Sequence, residues 1–216
     1  MTRMPAAARA AAFGAAFAAA FAMLLSACSG LHADRGAPQA YTLRFLPPPD
    51  AGAAPVTTHA LVASKSAPAL QVLRPLAAPG LDGDGIAVLR ENQKLDGFVG
   101  ARWAGPLPDL VEAMAVDALR ARGVYRAVQG DAAPFLSEQV LQLELARCAA
   151  YYEGSGAPTI RVRIVASFGR RDDRRLLATQ VLEASVPATT NRMGAVAAAY
   201  ELALNAALAQ LAPPQE

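Results

Sequence analysis

A short apolar run that ends in a cysteine limits how much of this chain can belong to a folded domain. The run closes on the residues Leu25, Ser26, Ala27 and Cys28. This pattern is typical of a lipobox, at which a bacterial signal peptidase cuts before a cysteine that carries a diacylglycerol thioether. We therefore predict that residues 1–27 are a signal peptide and that the mature chain begins at a lipidated Cys28.

The residues before the lipobox agree with this interpretation. Arg3 and Arg9 supply the positive charge of a signal peptide, and residues 10–25 supply its apolar segment. Cleavage without lipidation and an uncleaved signal anchor are the alternatives, although the run is short for a membrane span. Each acyl chain contributes about 0.8 kcal/mol per buried methylene, so the two or three chains of a lipoprotein hold durably.

The charge balance of the mature chain gives no case for nucleic acid as a partner. The full sequence has 20 basic and 18 acidic residues, and two of the arginines fall within residues 1–27. The mature side chains are therefore neutral overall, whereas nucleic-acid binding needs a clustered basic face. The remaining 189 residues suffice for one core, and we predict one domain over residues 41–212.

Residues suited to catalysis or metal binding are not grouped in this sequence. His32 and His59 fall in predicted loops without a second ligand at metal spacing, and Ser155 lacks a nucleophile elbow. Cys148 lies in an apolar strand-like segment, which favours a buried free thiol over a nucleophile. We expect neither an enzyme nor a bound cofactor or metal.

Apolar periodicity and turn residues divide the mature chain into elements. Residues 28–40 read as a lipidated start and flexible tether, and residues 213–216 as a tail. Helices are predicted over 106–122 and from a cap at Thr190 or Asn191 to Leu211. Strands are predicted over 41–45, 69–73, 86–90, 94–99, 124–128, 138–151, 159–168 and 175–186.

The order of these elements predicts an α/β fold with one mixed, mostly antiparallel sheet and two main helices against it. A purely parallel sheet is excluded because the turns between residues 138 and 186 are too short for crossovers. Trp103, directly before the first helix, is expected to pack that helix against the sheet, with a place in a ligand pocket as the alternative.

Two clusters are candidate partner contacts. The first is the charged run that holds Arg170, Arg171, Arg174 and Arg175, which reads as a solvated hairpin tip or as a contact for a partner or headgroup. The second is Tyr151 and Tyr152, beside a glycine-rich turn, where exposed aromatic rings favour interfaces but one ring can also be buried.

Several segments together resemble the ABC-type transport auxiliary lipoprotein family, which includes the Pqi-type intermembrane transport lipoprotein. The likeness covers residues 41–211. It rests on Tyr41-x-Leu43 after the lipidated cysteine and on the segments 74–81, 86–90, 102–107 and 119–123.

This resemblance implies a three-layer α/β fold of the TolB-N-terminal or anticodon-binding-like type and a noncatalytic role in MCE-type lipid transport. The implied partners are an MCE-family periplasmic subunit with its ABC permease and ATPase, and a membrane reached through the lipid anchor. Ser29 after Cys28 favours the periplasmic face of the outer membrane over the inner membrane. A homo-oligomer stays open, as do a lipid-carrying protein and a structural envelope lipoprotein as alternative functions.

Overall fold

A nine-stranded mixed sheet is the scaffold of the protein. The computed structural model describes residues 37–47, 67–90 and 94–214. The strands are β1 (Gln39–Tyr41), β2 (Ala69–Val72), β3 (Leu76–Ala77), β4 (Gly85–Leu89), β5 (Leu95–Trp103), β6 (Ala127–Gln129), β7 (Gln139–Tyr151), β8 (Thr159–Arg170) and β9 (Leu176–Pro187). The helices are α1 (Leu107–Arg122) and α2 (Met193–Leu208).

Strand β7 is the centre of the sheet. On one side it pairs with β8, which pairs with β9, and both pairings are antiparallel. On the other side β2, β3 and β4 join β7 one after another along its length, each in parallel. The sheet is extended by β6 beside β2, by β5 antiparallel to β4, and by β1 parallel to β5.

Both helices lie on one face of this sheet and contact each other. The face is built by alternation, because every second residue of β7 and β8 points toward the helices. The α/β class with a mixed sheet and two main helices is confirmed. The face-forming side chains are fully buried and include Leu141, Leu143, Leu145, Ile160, Ile164 and Phe168.

The second turn of α2 is fixed against the strands by Tyr200. Its ring meets the edge of Trp103 at a centroid distance of 5.2 Å, and its hydroxyl donates a hydrogen bond to the carbonyl oxygen of Ala87. Burial raises the pKa of the Tyr200 hydroxyl, so this group stays protonated and remains a donor. Trp103 is buried as predicted, and its ring contacts Tyr200 of α2.

The first helix follows its sequence signals closely. Pro108 stands in its first turn, and Gly123 ends it with a left-handed φ of 64° and an amide that donates to the carbonyl oxygen of Arg120. Glycine adopts this conformation without the steric cost that a side chain brings. The predicted bounds of residues 106–122 are confirmed to within one residue.

The predicted strand over residues 41–45 is wrong in its position. Strand β1 ends at Tyr41, and residues 42–47 run across α2 without joining the sheet. The amide of Leu46 donates to Asn205 Oδ1 at 2.8 Å, and Asn205 Nδ2 donates to the carbonyl oxygen of Arg44 at 2.9 Å. The Arg44 amide donates to Glu201 Oε2 at 3.0 Å. Helix side chains thus supply the partners that a neighbouring strand would have given.

The predicted cap of α2 is also wrong. The helix begins at Met193, and its N-cap residue, Arg192, makes no side-chain capping hydrogen bond. The Asn191 side chain instead accepts a hydrogen bond from the Tyr152 hydroxyl at 2.6 Å. The helix ends at Leu208 rather than at Leu211, because the last residues turn tightly.

Smaller differences concern the strands. Strand β6 begins at Ala127, three residues later than predicted, and β5 continues to Trp103 beyond the predicted end at residue 99. The two-residue strand β3 was not predicted, since so short a run carries no period. Cys148 is a buried free thiol, as predicted.

The described residues from Pro38 onward form one compact unit. The lipobox residues, both histidines and most of the predicted tether lie outside the described residues. Among the helices that are described, none is both long and apolar enough to cross a bilayer.

Replacing Tyr200 by phenylalanine should destabilise the domain. Tyr200→Phe keeps the ring contact with Trp103 but leaves the buried Ala87 carbonyl without this donor, which costs about 1–3 kcal/mol in the free energy of unfolding. Denaturant unfolding measures the change. Tyr41→Phe is the matched control, because its hydroxyl bonds Gln39 at the surface, and an equal loss in both variants would contradict the role of Tyr200.

Replacing Asn205 by alanine should release the segment 42–47 from α2. Asn205→Ala removes two hydrogen bonds to this segment, so amide hydrogen exchange at Leu46 should accelerate by about tenfold or more. Gln210→Ala is the control, since the Gln210 amide binds the edge strand at Glu183. Unchanged exchange at Leu46 would show that the segment is held by other contacts.

Candidate functional site

The two predicted contact clusters lie at opposite ends of the sheet. Strand register places Gln139 beside Arg170 and Tyr151 beside Thr159. The 13-residue strand β7 separates them, a distance of roughly 40 Å at about 3.3 Å per residue. The structure therefore does not combine the arginines and the tyrosines into one surface, and we describe the two ends separately.

The turn between β8 and β9 carries four arginines, Arg170, Arg171, Arg174 and Arg175, which we call the arginine tip. Two of them are engaged within the protein: Arg170 binds Asp172 and Asp173, and Arg171 binds the side chain of Gln71. The side chains of Arg174 and Arg175 form no ion pair with the described residues, and both are exposed. Because the turn holds only two carboxylates, it keeps a net positive charge.

The conformation of the turn presents these side chains outward. Arg174 has a φ of 57°, the only positive value at a non-glycine residue in the described part of the chain. A left-handed arginine is uncommon and costs free energy, so the turn is held in place by its neighbours. The Asp173 carboxylate accepts from Arg170 and from the Arg175 amide, and the Arg170 guanidinium lowers the pKa of Asp173.

Buried polar groups tie the arginine tip to the sheet. Gln71, only 8% exposed, donates to the carbonyl oxygen of Asp131 at 3.0 Å and accepts from Arg171. The Arg171 amide donates to the carbonyl oxygen of Glu138 at 2.9 Å. The Glu138 carboxylate accepts from the amide of Ala69, which lowers the pKa of that carboxyl. The tip is therefore a fixed part of the domain.

An open groove of about 530 Å³ lies beside the arginine tip. Its floor is apolar and comes from Leu73, Val140 and Leu176, while the four arginines line its rim. Close by, Phe135 and Leu136 are 73% and 90% exposed. Sequence analysis did not single out this apolar pair, and its signal was two adjacent large apolar residues in a loop that shows no period.

At the tyrosine end of the sheet, the aromatic side chains already have partners within the protein. Tyr151 lies under the guanidinium of Arg161, with 4.7 Å between Cζ and the ring centroid, and Tyr152 lies 6.3 Å from the ring of Phe98. The Tyr152 hydroxyl is held by Asn191. Both rings are half-buried, so they contribute to packing, and their role as partner contacts stays a prediction.

A second groove, of about 620 Å³, runs between the two helices and was not predicted. We call it the helix groove. Alanines on facing turns of α1 and α2 leave the groove open. These alanines are visible in the sequence, but the same pattern also occurs where two helices simply pack closely. It is lined by Phe45, Leu46, Pro47, Ala118, Ala121, Arg122, Leu202, Asn205, Ala206 and Ala209.

The described residues include one thiol and several acidic side chains that could in principle carry chemistry. Burial raises the pKa of Cys148 to about 12, so this thiol stays protonated and is a poor nucleophile near neutral pH. Within residues 37–47, 67–90 and 94–214, no three His, Cys, Asp or Glu side chains are grouped to hold a metal. The described surface also carries the positive arginine tip, the groove beside it and the helix groove, and both grooves have largely apolar linings.

Two solved structures with TM-scores above 0.5 support the fold. Protein XCC0632 from Xanthomonas campestris, of the DUF330 family, is 26% identical, with a TM-score of 0.63, over 80% of this chain and 90% of that one. A crystal structure of an uncharacterised protein is 12% identical, with a TM-score of 0.57, over 77% and 91%. A putative lipoprotein from Caulobacter crescentus CB15 is 13% identical, with a TM-score of 0.35, over 64% and 80%.

Among curated proteins, none matches the chain. The family model described as ABC-type transport auxiliary lipoprotein component matches residues 49–212, which include nearly all of the sheet and both helices. That span covers well over half of the 216 residues. The chain belongs to the family of ABC-type transport auxiliary lipoprotein components.

Proposed function

We propose that this protein is a noncatalytic auxiliary subunit of an MCE-type ABC system that moves lipid between membranes. Acyl chains on Cys28 hold it at the periplasmic face of the outer membrane, and Ser29 after the cysteine favours sorting to that membrane. The partners are an MCE-family periplasmic subunit and its ABC permease and ATPase. Membership in the auxiliary family supports the proposal, and the observation that carries it is the fixed arginine tip.

The arginine tip has the properties of a docking surface. Arg174 and Arg175 carry charge that no described residue neutralises, and Phe135 and Leu136 expose apolar area nearby. Arginine and aromatic residues are enriched in protein interfaces and supply much of their binding energy. The partner surface that fits this end is acidic with an apolar centre.

The direction of the first described strand follows from the pairings of its neighbours. Strand β1 is parallel to β5, β5 is antiparallel to β4, and β4 is parallel to β7. Strand β1 therefore runs toward the arginine tip, and Gln39 faces the tyrosine end. A tether of 12 residues, up to about 40 Å long when extended, would give the domain freedom to meet a partner.

A lipid-carrying role is the second candidate, and the helix groove favours it. An apolar groove of this size lies within the range of about 300–1,000 Å³ that small-molecule sites occupy. The two roles are compatible, because the groove and the arginine tip use different residues.

The lipid anchor is tested by Cys28→Ser. We expect this variant to accumulate as an unprocessed precursor that is absent from the outer-membrane fraction, because no thiol remains to be acylated. Immunoblotting of fractionated membranes and the intact mass report the outcome. A variant that is still processed and sediments with outer membranes would contradict anchoring at Cys28.

The docking surface is tested by reversing its charge. Arg174→Glu with Arg175→Glu should lower the recovery of the MCE-family subunit and the ABC ATPase in crosslinked pull-downs from envelope membranes by about tenfold or more. The matched control is Arg147→Glu with Arg192→Glu, two exposed arginines away from the tip that also lack ion pairs with the described residues. Equal recovery from both double variants would remove the tip as the docking site.

A further inference from the structure

Among the described residues, the helix groove combines an apolar lining with one positive charge. Ala118 and Ala121 of α1 face Ala206 of α2 and Ala209 directly after it, and the small side chains form an apolar floor. Along the rim, Leu46 and Leu202 are 39% and 51% exposed, while the other lining residues include two polar ones, Asn205 and Arg122.

Asn205 is already occupied. Its amide holds the backbone of residues 44 and 46, so it has little capacity left for a ligand. Arg122 is therefore the polar group that the groove can offer.

Arg122 combines partial burial with the absence of a carboxylate partner among the described residues. Arg74, Arg161 and Arg163 are more than 40% exposed, and each pairs with an acidic side chain. Arg122 is half-buried, and burial lowers its pKa, yet none of the described carboxylates forms an ion pair with it. Since arginine keeps its charge in proteins, the groove holds an uncompensated cation.

The contacts that Arg122 does make leave most of its donors free. Nη2 donates to the carbonyl oxygens of Leu208 at 3.1 Å and Ala209 at 2.7 Å, at the end of α2. These carbonyls carry only the partial negative charge of a helix C-terminus. The Nε and Nη1 donors have no partner in the described part of the chain, and a guanidinium presents such donors in a planar fork that fits a carboxylate.

We propose that the helix groove binds one long-chain fatty acid, with its acyl chain along the alanine floor and its carboxylate on Arg122. The proposal rests on the lipid-transport role proposed above and gives it a ligand and a site. The charges complement each other, because a fatty acid brings the one negative charge that the groove lacks.

The volume of the groove is close to that of one acyl chain. If a methylene takes roughly 30 Å³, the share of a water molecule in the liquid, a 16-carbon chain needs roughly 480 Å³ and two chains need roughly 960 Å³. The groove provides about 620 Å³. One acyl chain therefore matches the volume of the groove more closely than two chains do. The lining residues that the structure describes contain no second cation for a phosphate, which favours a carboxylate headgroup.

Photocrosslinking of the full acylated protein in its membranes tests the proposal. The probe is palmitate with a diazirine in its chain, and the labelled peptides are mapped by mass spectrometry. We expect labels within residues 118–122 and 202–209. The matched diazirine alcohol should label this site at least about tenfold more weakly, because it cannot pair with Arg122.

Two variants test the charge of Arg122 and the apolar space of the helix groove separately. Arg122→Met should raise the probe concentration for half-maximal labelling by about tenfold or more. Ala206→Trp leaves Arg122 in place but fills the groove, so labelling should be lost. The control is Ala198→Trp, at an exposed position of the same helix outside the groove, which should label as the unchanged protein does.

The outcomes that overturn the proposal are distinct. Equal labelling by acid and alcohol, or no effect of Arg122→Met, would remove the carboxylate site. Stronger labelling by a diazirine lysophospholipid than by the acid would assign the groove to a phospholipid product instead. Retained labelling in Ala206→Trp would place the label elsewhere. If labelling fails while transporter subunits are still captured, only this proposal falls and the docking role stands.

Discussion

Alternating burial along β7 and β8 is the constraint on which the rest of the structure depends. Over residues 141–145 of β7 and 160–168 of β8, every second side chain is aliphatic or aromatic and is buried on one face, and each fully buried leucine contributes about 1.5–3 kcal/mol. That face needs a cover, which both helices provide. Because the helices then lie side by side, their facing alanines create the helix groove, and the uncovered strand ends carry the arginine tip.

The arginine tip and the helix groove divide the work between two kinds of chemistry. The tip is rigid, positive and exposed, which suits a protein surface that meets it transiently. The groove is apolar with one half-buried cation, which suits a small amphiphile. Their separation allows an auxiliary subunit to remain docked while a lipid enters or leaves, so the two proposals support one transport role without sharing residues.

Sequence reasoning succeeded where a local pattern has one physical solution. The period of two in β7 and β8 and the Pro108 to Gly123 span of α1 gave their bounds to within a residue or two. It failed at residues 42–47, whose alternation predicts a strand although Glu201 and Asn205 of a distant helix bind that backbone. It also failed at the cap of α2, because the Asn191 side chain accepts a hydrogen bond from the Tyr152 hydroxyl and does not cap the helix.

The sequence by itself determined the α/β class, the two helices, the buried Cys148 and the four arginines of one turn, since each follows from neighbours in the chain. Only the tertiary structure decided that the arginines and tyrosines lie at opposite ends of the sheet and that Arg122 faces a groove. It also decided that Arg171 binds Gln71, whereas Arg174 forms no ion pair with the described residues. These facts depend on strand register and helix placement, which join residues far apart in sequence. Local periodicity carries no information on such pairings.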